Sequence, residues 1–433
     1  MEDLNVRQEC ASAFDAHHAP SNEIIEKCVH CGFCLPVCPT YVLWGQEMDS
    51  PRGRIYLMKL ASEGAAEMNS NWVSHFDSCL GCMACMTACP SGVDYGKLIE
   101  ATRAQIERKT ERPGGERLHR RFMFETFTRP DRLRQMRLPL LAYQKSGLQA
   151  VVRSLGLLKL FPKKMQTMEA LLPKLGPREA IAEFTPAAGK KRRRVGLLLG
   201  CVQREFFPRV NAATVRVLAA EGCEVLAPKA QSCCGALLVH AGEEAAALDL
   251  AKKTIDVFES AYVDTIVTNA AGCGSNVKEY GHLLAHDAAY ADKAKRVSGL
   301  CKDISEILLQ FESELQKKLK GKINKRVSYH PPCTLQHGQK IRGTVESVLR
   351  AVGVDVQLCA DSHLCCGSAG TYSVLQPELA TKLRDNKLAN LQVIQPEMIV
   401  SANIGCLVHL QSGTEVPVKH WIELVDAALV SAG

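Results

Sequence analysis

One pattern of cysteines and glycine occurs twice in the second half of this 433-residue chain. Four of the five matched positions are separated by 132 residues and the fifth by 133. The matched residues are Cys201, Cys233, Cys234, Gly235 and Cys273 in one copy and Cys333, Cys365, Cys366, Gly367 and Cys406 in the other. Five positions at nearly one spacing are not expected by chance, so the pattern predicts a duplicated domain.

The segments around these cysteines alternate between strand and helix patterns. Short apolar runs at 195–199, 265–269 and 398–403 come just before Cys201, Cys273 and Cys406 and predict buried strands. Helical patterns at 211–221 and 344–352 each end at a glycine and lead into another strand. This order predicts a parallel α/β sheet in each copy, with the cysteines gathered at the carboxyl edge of the strands.

Two further cysteine runs, nearer the N-terminus, share the spacing Cys-x2-Cys-x2-Cys-x3-Cys-Pro. They consist of Cys28, Cys31, Cys34 and Cys38, then Cys79, Cys82, Cys85 and Cys89. The spacing is typical of bacterial 4Fe-4S ferredoxins, in which the fourth cysteine of each run binds the other cluster. We therefore predict one 4Fe-4S cluster on Cys28, Cys31, Cys34 and Cys89 and a second on Cys79, Cys82, Cys85 and Cys38.

Zinc is the main alternative for these two runs, because Cys-x2-Cys pairs also bind zinc. Structural zinc sites usually use four ligands in two separated pairs, which does not match four cysteines within eleven residues followed by proline. Phe33, Leu35, Leu80 and Met86 are expected to shield the cluster sulfurs. Helical patterns at 54–66 and 96–108 predict a mostly helical cluster domain rather than a small β-hairpin ferredoxin.

The duplicated cysteines allow several interpretations. Each copy offers four thiols, enough for zinc or for another iron-sulfur cluster. The vicinal pairs could instead be redox-active thiols, or the cysteines could pack as small apolar groups. Four histidines near the second copy fit either proton transfer and quinone or substrate binding, or local turn and core roles. They are His330, His337, His363 and His409.

Composition indicates a cytoplasmic protein that uses cysteine for metal binding. The chain contains 20 cysteines and is 46% hydrophobic, and disulfide frameworks are rare in reducing compartments. No run approaches the roughly 18 apolar residues that cross a bilayer. The polar start, residues 1–9, has neither the basic region nor the apolar core of a signal peptide.

Positive charge is concentrated in the middle of the chain. Residues 116–194 hold 19 Lys and Arg against 6 Asp and Glu, whereas the whole chain has a net charge of +7. Within 129–164 the basic residues alternate with leucines and valines. This segment is expected either to lie on an anionic membrane surface, on the inner face of the cytoplasmic membrane, or to face another domain or a partner. Nucleic acid is not an expected partner.

These patterns divide the chain into four regions. We expect a two-cluster ferredoxin-type domain at 1–115, a basic helical connector at 116–190, and two cysteine-rich domains at 191–325 and 326–433. The fold class is therefore multidomain α and α/β. We find no Gly-x-Gly-x-x-Gly after a strand and no Walker A motif, so a flavin or nicotinamide would have to belong to another chain.

The combination of motifs resembles a family of redox proteins. That family includes the iron-sulfur subunit of glycolate oxidase, the small subunit of anaerobic glycerol-3-phosphate dehydrogenase, the lactate-utilisation iron-sulfur protein and heterodisulfide reductase subunits. The segments most similar to the glycolate oxidase iron-sulfur subunit are Ser232-Cys-Cys-Gly-Ala-Leu237, Asn269-Ala-Ala-Gly-Cys-Gly274, Tyr329-His-Pro-Pro-Cys-Thr-Leu-Gln-His-Gly338 and Cys365-Cys-Gly-Ser-Ala-Gly-Thr-Tyr372.

The resemblance implies an electron-transfer subunit with no catalytic residue of its own. Flavin-containing glycolate dehydrogenase subunits would oxidise glycolate to glyoxylate, and this chain would pass the electrons toward a quinone or another acceptor. Lactate, glycerol 3-phosphate and heterodisulfide-type chemistry are the alternatives. The heterodisulfide reductase pattern ends each copy in Cys-x2-Cys, whereas this chain has Asn276 and His409 at the last position, which argues against a catalytic noncubane cluster.

Overall fold

The computed structural model of the chain describes residues 11–321 and 323–431. Residues 1–9, used above for the signal-peptide prediction, and Cys10 lie outside the described residues. The chain divides into two compact units. The first runs to Leu118 and also contains Leu238–Glu244, whereas the second contains His119–Leu237 and continues from Ala245.

Residues 11–118 of the first unit form short helices and turns without a strand. The helices are α1 (Asn22–Glu26), α2 (Pro39–Trp44), α3 (Pro51–Ser62), α4 (Ser70–Asp77), α5 (Ala84–Ala88) and α6 (Tyr95–Lys109). The prediction of a mostly helical cluster domain is confirmed. Helix α3 begins at a proline after the capping side chain of Ser50. It ends earlier than the predicted residue 66 because Gly64 turns the backbone to φ +69°.

Four helices form the basic connector: α7 (Gly114–Phe127), α8 (Pro130–Lys145), α9 (Leu148–Ser154) and α10 (Lys163–Ala170). Helix α8 continues through Pro139. Pro139 has no backbone N–H to donate to the carbonyl oxygen of Gln135, four residues earlier. Both residues are exposed, so water can bond to that carbonyl instead. Every helix among the described residues is too short or too polar to cross a bilayer.

Within the second unit, the connector contacts the first cysteine-rich copy through the buried acid Glu205. Arg134 and Arg178 lie 3.2 and 3.0 Å from its two carboxylate oxygens. Arg137 donates to the backbone oxygen of Glu205 at 2.7 Å. Three of the basic residues between 116 and 194 therefore bind Glu205 within the fold. Only the remaining basic residues of this region can contact a partner.

Two sheets form the centre of the second unit. One has the order β1-β3-β2-β4-β5 and the other β7-β6-β8-β9. Their strands are β1 (Phe184–Thr185), β2 (Arg193–Leu198), β3 (Cys223–Leu226), β4 (Thr265–Thr268), β5 (Cys301–Asp303), β6 (Arg326–His330), β7 (Asp355–Leu358), β8 (Met398–Ser401) and β9 (Val418–His420). All neighbouring strands are parallel except β1 and β3. The predicted fold class is therefore confirmed.

Helices cover both sheets and join them through one core. They are α11 (Val202–Phe206), α12 (Pro208–Ala220), α13 (Ala236–Val239), α14 (Glu244–Glu259), α15 (Ala271–Lys278), α16 (Tyr280–Leu283), α17 (Ala291–Leu300), α18 (Ile304–Leu309), α19 (Glu312–Leu319), α20 (Thr344–Ala351), α21 (Tyr372–Leu375), α22 (Pro377–Gln392), α23 (Ile404–Gln411) and α24 (Trp421–Val430). Helix α12 of the first copy packs on α24 of the second. The continuous core includes Val195 and Leu197 from one sheet and Val327 and Val400 from the other.

Candidate metal centres

Five cysteines of the first unit line one cavity, and one of them, Cys85, belongs to the second predicted set. Cys28, Cys31 and Cys34 come from the loop between α1 and α2, and Cys89 follows α5. Gly32 in that loop has φ +87°, a conformation that side chains rarely adopt, and this allows the tight turn between the thiols. The structure thus brings Cys89 of the second run to three cysteines of the first.

The other four cysteines of the two runs are also neighbours. Burial raises the pKa of Cys85 well above its usual value, and the nearby thiols of Cys82, Cys79 and Cys38 raise it further. Cys38, from the first run, is therefore close to Cys85 of the second, as is Cys34. Its Sγ also lies 3.2 Å from the hydroxyl of Thr40. Hydrogen bonds to sulfur are one way in which proteins adjust the potential of an iron-sulfur cluster.

Two buried arginines favour negative charge at Cys79. Burial alone would raise the pKa of this thiol, but the charges of Arg54 and Arg103 outweigh burial and hold its pKa below the usual value. Arg54 is 1% exposed and donates to Ser78 Oγ at 2.8 Å, and Arg103 donates to the backbone oxygen of Cys79. Sequence analysis did not identify these arginines, because neither belongs to a recognisable motif.

The two sets differ in exposure. Cys31 is exposed and Cys28, Cys34 and Cys89 are half-buried, whereas Cys38, Cys79 and Cys85 are buried and Cys82 is half-buried. Phe33 lines the cavity of the first set, and 65% of this residue is exposed. One set therefore lies at the surface of the first unit and the other lies in its interior.

The donors in both sets suit iron-sulfur clusters. Each set consists of four thiols, and thiolate is the ligand that iron-sulfur clusters use. Without a bound metal, burial raises the pKa of Cys34 to about 11. Cluster assembly must therefore displace protons from buried thiols, which couples it to folding.

The four cysteines of the first cysteine-rich copy form a chain of contacts. Contacts with Cys201 and Cys234, together with burial, raise the pKa of Cys233 well above its usual value. Cys273 contacts Cys234, which raises its pKa in the same way. Tyr280 donates to the backbone oxygen of Cys234 at 2.7 Å. The predicted convergence therefore brings all four thiols of this copy together.

The second copy repeats this arrangement. The Sγ atoms of Cys333 and Cys365 are 3.9 Å apart. A hydrogen bond with Cys365 lowers the pKa of Cys366, but contact with Cys406 and burial outweigh it and raise the pKa well above its usual value. As in the first copy, the four thiols meet beyond the carboxyl ends of the strands.

The histidines of the second copy have different environments. The Nε2 atoms of His337 and His409 lie 2.9 and 3.0 Å from backbone carbonyl oxygens, which gives these residues structural roles. His363 is only partly buried. His330, the last residue of β6, is completely buried, and neither ring nitrogen has a hydrogen-bond partner among the described residues.

Family models match most of the chain. A "4Fe-4S dicluster domain" matches residues 24–93, and "Glycolate oxidase iron-sulfur subunit, linker region" matches 115–172. A "Cysteine-rich domain" matches twice, at 195–278 and 327–411. The duplication and the ferredoxin-type region inferred from spacing thus correspond to known domain types.

Curated relatives cover nearly the whole chain. The glycolate oxidase iron-sulfur subunit of Escherichia coli (strain K12) is 42% identical over 96% of this chain and 97% of its own length. The probable glycolate oxidase iron-sulfur subunit of Bacillus subtilis (strain 168) is 37% identical over 90% of this chain and 88% of its own length. Lactate utilization protein A of Geobacillus thermodenitrificans (strain NG80-2) is more distant, at 27% identity over 54% of this chain and 98% of its own length.

Two adjoining groups of four thiols in a helical domain, followed by two cysteine-rich α/β domains, define an iron-sulfur protein that transfers electrons. Its 4Fe-4S clusters belong to the N-terminal helical domain. With full-length relatives at 42% and 37% identity, the chain belongs to the family of glycolate oxidase iron-sulfur subunits.

Proposed function

We propose that this chain relays single electrons in a glycolate dehydrogenase complex. Flavin-containing partner subunits oxidise glycolate to glyoxylate, and the electrons pass through this chain toward a quinone or another acceptor. The observation that supports this role is the pair of adjoining cysteine sets, one at the surface and one in the interior of the first unit. When bound, each cluster accepts and releases one electron at a time.

In this proposal Cys28, Cys31, Cys34 and Cys89 hold the cluster nearer the surface, and Cys79, Cys82, Cys85 and Cys38 hold the interior one. Exposed apolar side chains surround the surface set, with Val29 at 68% and Phe33 at 65% exposure. Exposed apolar groups beside a redox centre are suited to transient docking of a partner. Arg54 and Arg103 stabilise the added negative charge of the interior set.

The four regions divide the work between them. Residues 1–115 carry the electron relay, 116–190 form the connector, and 191–325 and 326–433 are the two cysteine-rich domains. The absence of a dinucleotide motif in the sequence supports a flavin on the partner. The two relatives named for glycolate oxidase support glycolate rather than lactate as that partner's substrate.

Reconstitution with its partner tests this role. The anaerobically purified chain, mixed with glycolate alone, should keep its clusters oxidised, and addition of the flavin-containing subunits should reduce them within seconds. Lactate and glycerol 3-phosphate should reduce them at least about tenfold more slowly, as differences of a few atoms in a substrate allow. Oxidation of glycolate by the isolated chain would contradict the proposal.

A surface variant locates the partner's entry point. Phe33→Asp should slow reduction by the partner about tenfold, because it places a charge in an apolar contact. Val393→Asp is the matched control, since Val393 is 75% exposed and lies in the second unit. Iron content and dithionite reduction should be unchanged in both variants.

We also infer that the connector contacts an anionic membrane surface. Large apolar side chains are exposed between α9 and α10, including Leu155 at 67% and Leu160 at 82%. Lys159 and Lys163 are exposed in the same segment. Apolar side chains interleaved with basic ones are typical of interfacial contact with anionic lipids. Such contact would bring the relay close to a membrane quinone.

Vesicle binding tests the connector. The full chain should co-sediment with vesicles that contain phosphatidylglycerol, but not with pure phosphatidylcholine, and binding should weaken as salt is raised. Leu160→Glu should reduce binding at least about tenfold, because insertion of a leucine contributes about 1.5 kcal/mol or more. Val393→Glu should leave binding unchanged. Equal binding of the wild type and Leu160→Glu, or no binding to anionic vesicles, would contradict the inference and leave the connector as a protein contact.

A further inference from the structure

Three buried side chains of the second cysteine-rich copy meet at the carboxyl edge of its sheet. His330 ends β6, Cys366 lies in the loop between β7 and α21, and Cys406 lies on α23 just after β8. One ring nitrogen of His330 and the two Sγ atoms all lie within 4.8 Å of one another. The grouping therefore combines one nitrogen and two sulfur donors, and sequence analysis did not identify His330 as a metal ligand.

His330 is unusual because its imidazole has no hydrogen-bond partner. The residue is 0% exposed, and both ring nitrogens lack a partner among the described residues. Burial of a polar group without a hydrogen-bond partner is unfavourable, because the group gives up its bonds to water. Other buried histidines of this copy have a hydrogen-bond partner. His337 and His409 bond to backbone carbonyl oxygens, and His420 accepts a hydrogen bond from a backbone amide. A ligand at His330 would satisfy a nitrogen that the protein leaves unbonded.

We propose that His330, Cys366 and Cys406 bind a single zinc ion. Zinc is commonly held by thiolate and imidazole, with a zinc–sulfur distance of about 2.3 Å and a zinc–nitrogen distance of about 2.0 Å. Tetrahedral ligands at those lengths lie about 3.5–3.8 Å apart, which the observed grouping can reach with small side-chain adjustments. The thiol of Cys365 contacts that of Cys366 and is the candidate fourth ligand.

The size of the grouping favours one ion over a cluster. A 4Fe-4S cluster binds each thiolate to a different iron, so its ligands are farther apart than the ligands of one ion. Among the described residues, no three of the eight ferredoxin-type cysteines lie as close together as this trio. The second copy is thus built for a smaller metal centre than the N-terminal unit.

The first copy lacks the nitrogen donor. His330 corresponds to Leu198 at the repeat spacing of 132, and these two residues end the equivalent strands β6 and β2. Leu198 is buried in an apolar cluster. The proposed site therefore belongs to the second copy alone, and it goes beyond the electron relay of the N-terminal unit.

Metal analysis of the full chain tests the site. The anaerobically purified wild type should contain about one zinc per chain in addition to the iron of its clusters. His330→Leu, which copies the residue of the first repeat, and Cys406→Ser should each lower zinc below about 0.2 per chain while iron is unchanged. Cys359→Ser is the matched control, because Cys359 is a half-buried cysteine of the same domain outside the trio.

X-ray absorption at the zinc edge of the wild type provides a test that does not depend on a variant's folding. The spectrum should show at least two sulfur ligands and one imidazole. A zinc site with only sulfur ligands, zinc content unaffected by His330→Leu, or a wild type without zinc would each overturn the proposal. These outcomes leave the electron relay unaffected, because its readouts are iron content and cluster reduction.

Discussion

Replacement of Cys38 by serine is expected to remove the cluster of the second cysteine run, although Cys38 belongs to the first. Iron should fall from about eight to about four atoms per chain, because a 4Fe-4S cluster that loses a thiolate is poorly retained. Cys38 lies near Cys85, whereas Cys89 lines the cavity of Cys28, Cys31 and Cys34. Electron transfer through the chain should fall at least about 100-fold, since the relay loses one of two centres.

Double variants distinguish crossed from uncrossed ligation. Cys38→Ser combined with Cys85→Ala affects a single cluster in the crossed arrangement and should retain about four irons, as each single variant does. Cys38→Ser combined with Cys28→Ala should lose nearly all iron. The reverse pattern would show that each run binds its own cluster. Cys223→Ala, a buried cysteine of β3 remote in sequence from both runs, is the control and should retain all the iron.

Replacement of Arg54 by methionine is expected to destabilise the N-terminal unit by about 3–5 kcal/mol, the usual cost of removing one partner of a buried ion pair. Arg54 lies 3.4 Å from a carboxylate oxygen of buried Asp49 and donates to His75 O at 2.5 Å and to Ser78 Oγ at 2.8 Å. Methionine fills much of the volume but leaves the Asp49 charge buried without its guanidinium partner. The thermal midpoint of cluster absorbance should fall by about 10 °C or more.

Arg108→Met is the matched control in the same unit. Arg108 is 30% exposed and pairs with Asp15 and Glu244 at 3.2 and 2.9 Å. Partly exposed pairs of this kind usually contribute about 1 kcal/mol or less. Arg54→Lys retains the charge but not the hydrogen-bond fork, so its midpoint should fall between wild type and Arg54→Met. A midpoint for Arg54→Met within about 2 °C of wild type would show that the buried pair does not hold this unit together.

Regular spacing explains what could be predicted from the sequence. The 132-residue repeat predicted the duplication. The glycines after α12 and α20 and the apolar runs that form β2, β4 and β8 are local signals, and they predicted the parallel α/β fold of each copy. The ferredoxin spacing likewise indicated which cysteines should be neighbours. Such patterns work because helix and strand periodicity depend on residues close in sequence.

Features that depend on distant residues were not predictable. Arg54 acquires its role from Asp49, Ser78 and Cys79, which only the folded unit brings together. From sequence, His330 fitted either proton transfer and quinone or substrate binding or a core role, and only the fold places the sulfurs of Cys366 and Cys406 beside it. The inclusion of Leu238–Glu244 in the N-terminal unit also has no local sequence signal.

The most direct test of the electron relay is the iron and acid-labile sulfide content of the anaerobically purified chain, together with its electron paramagnetic resonance spectrum after dithionite reduction. We expect about eight irons and eight sulfides per chain and the spectrum of two magnetically interacting reduced 4Fe-4S clusters. A chain with zinc in the two ferredoxin-type cysteine runs, no iron and no paramagnetic signal would contradict the assignment of this protein as an electron carrier.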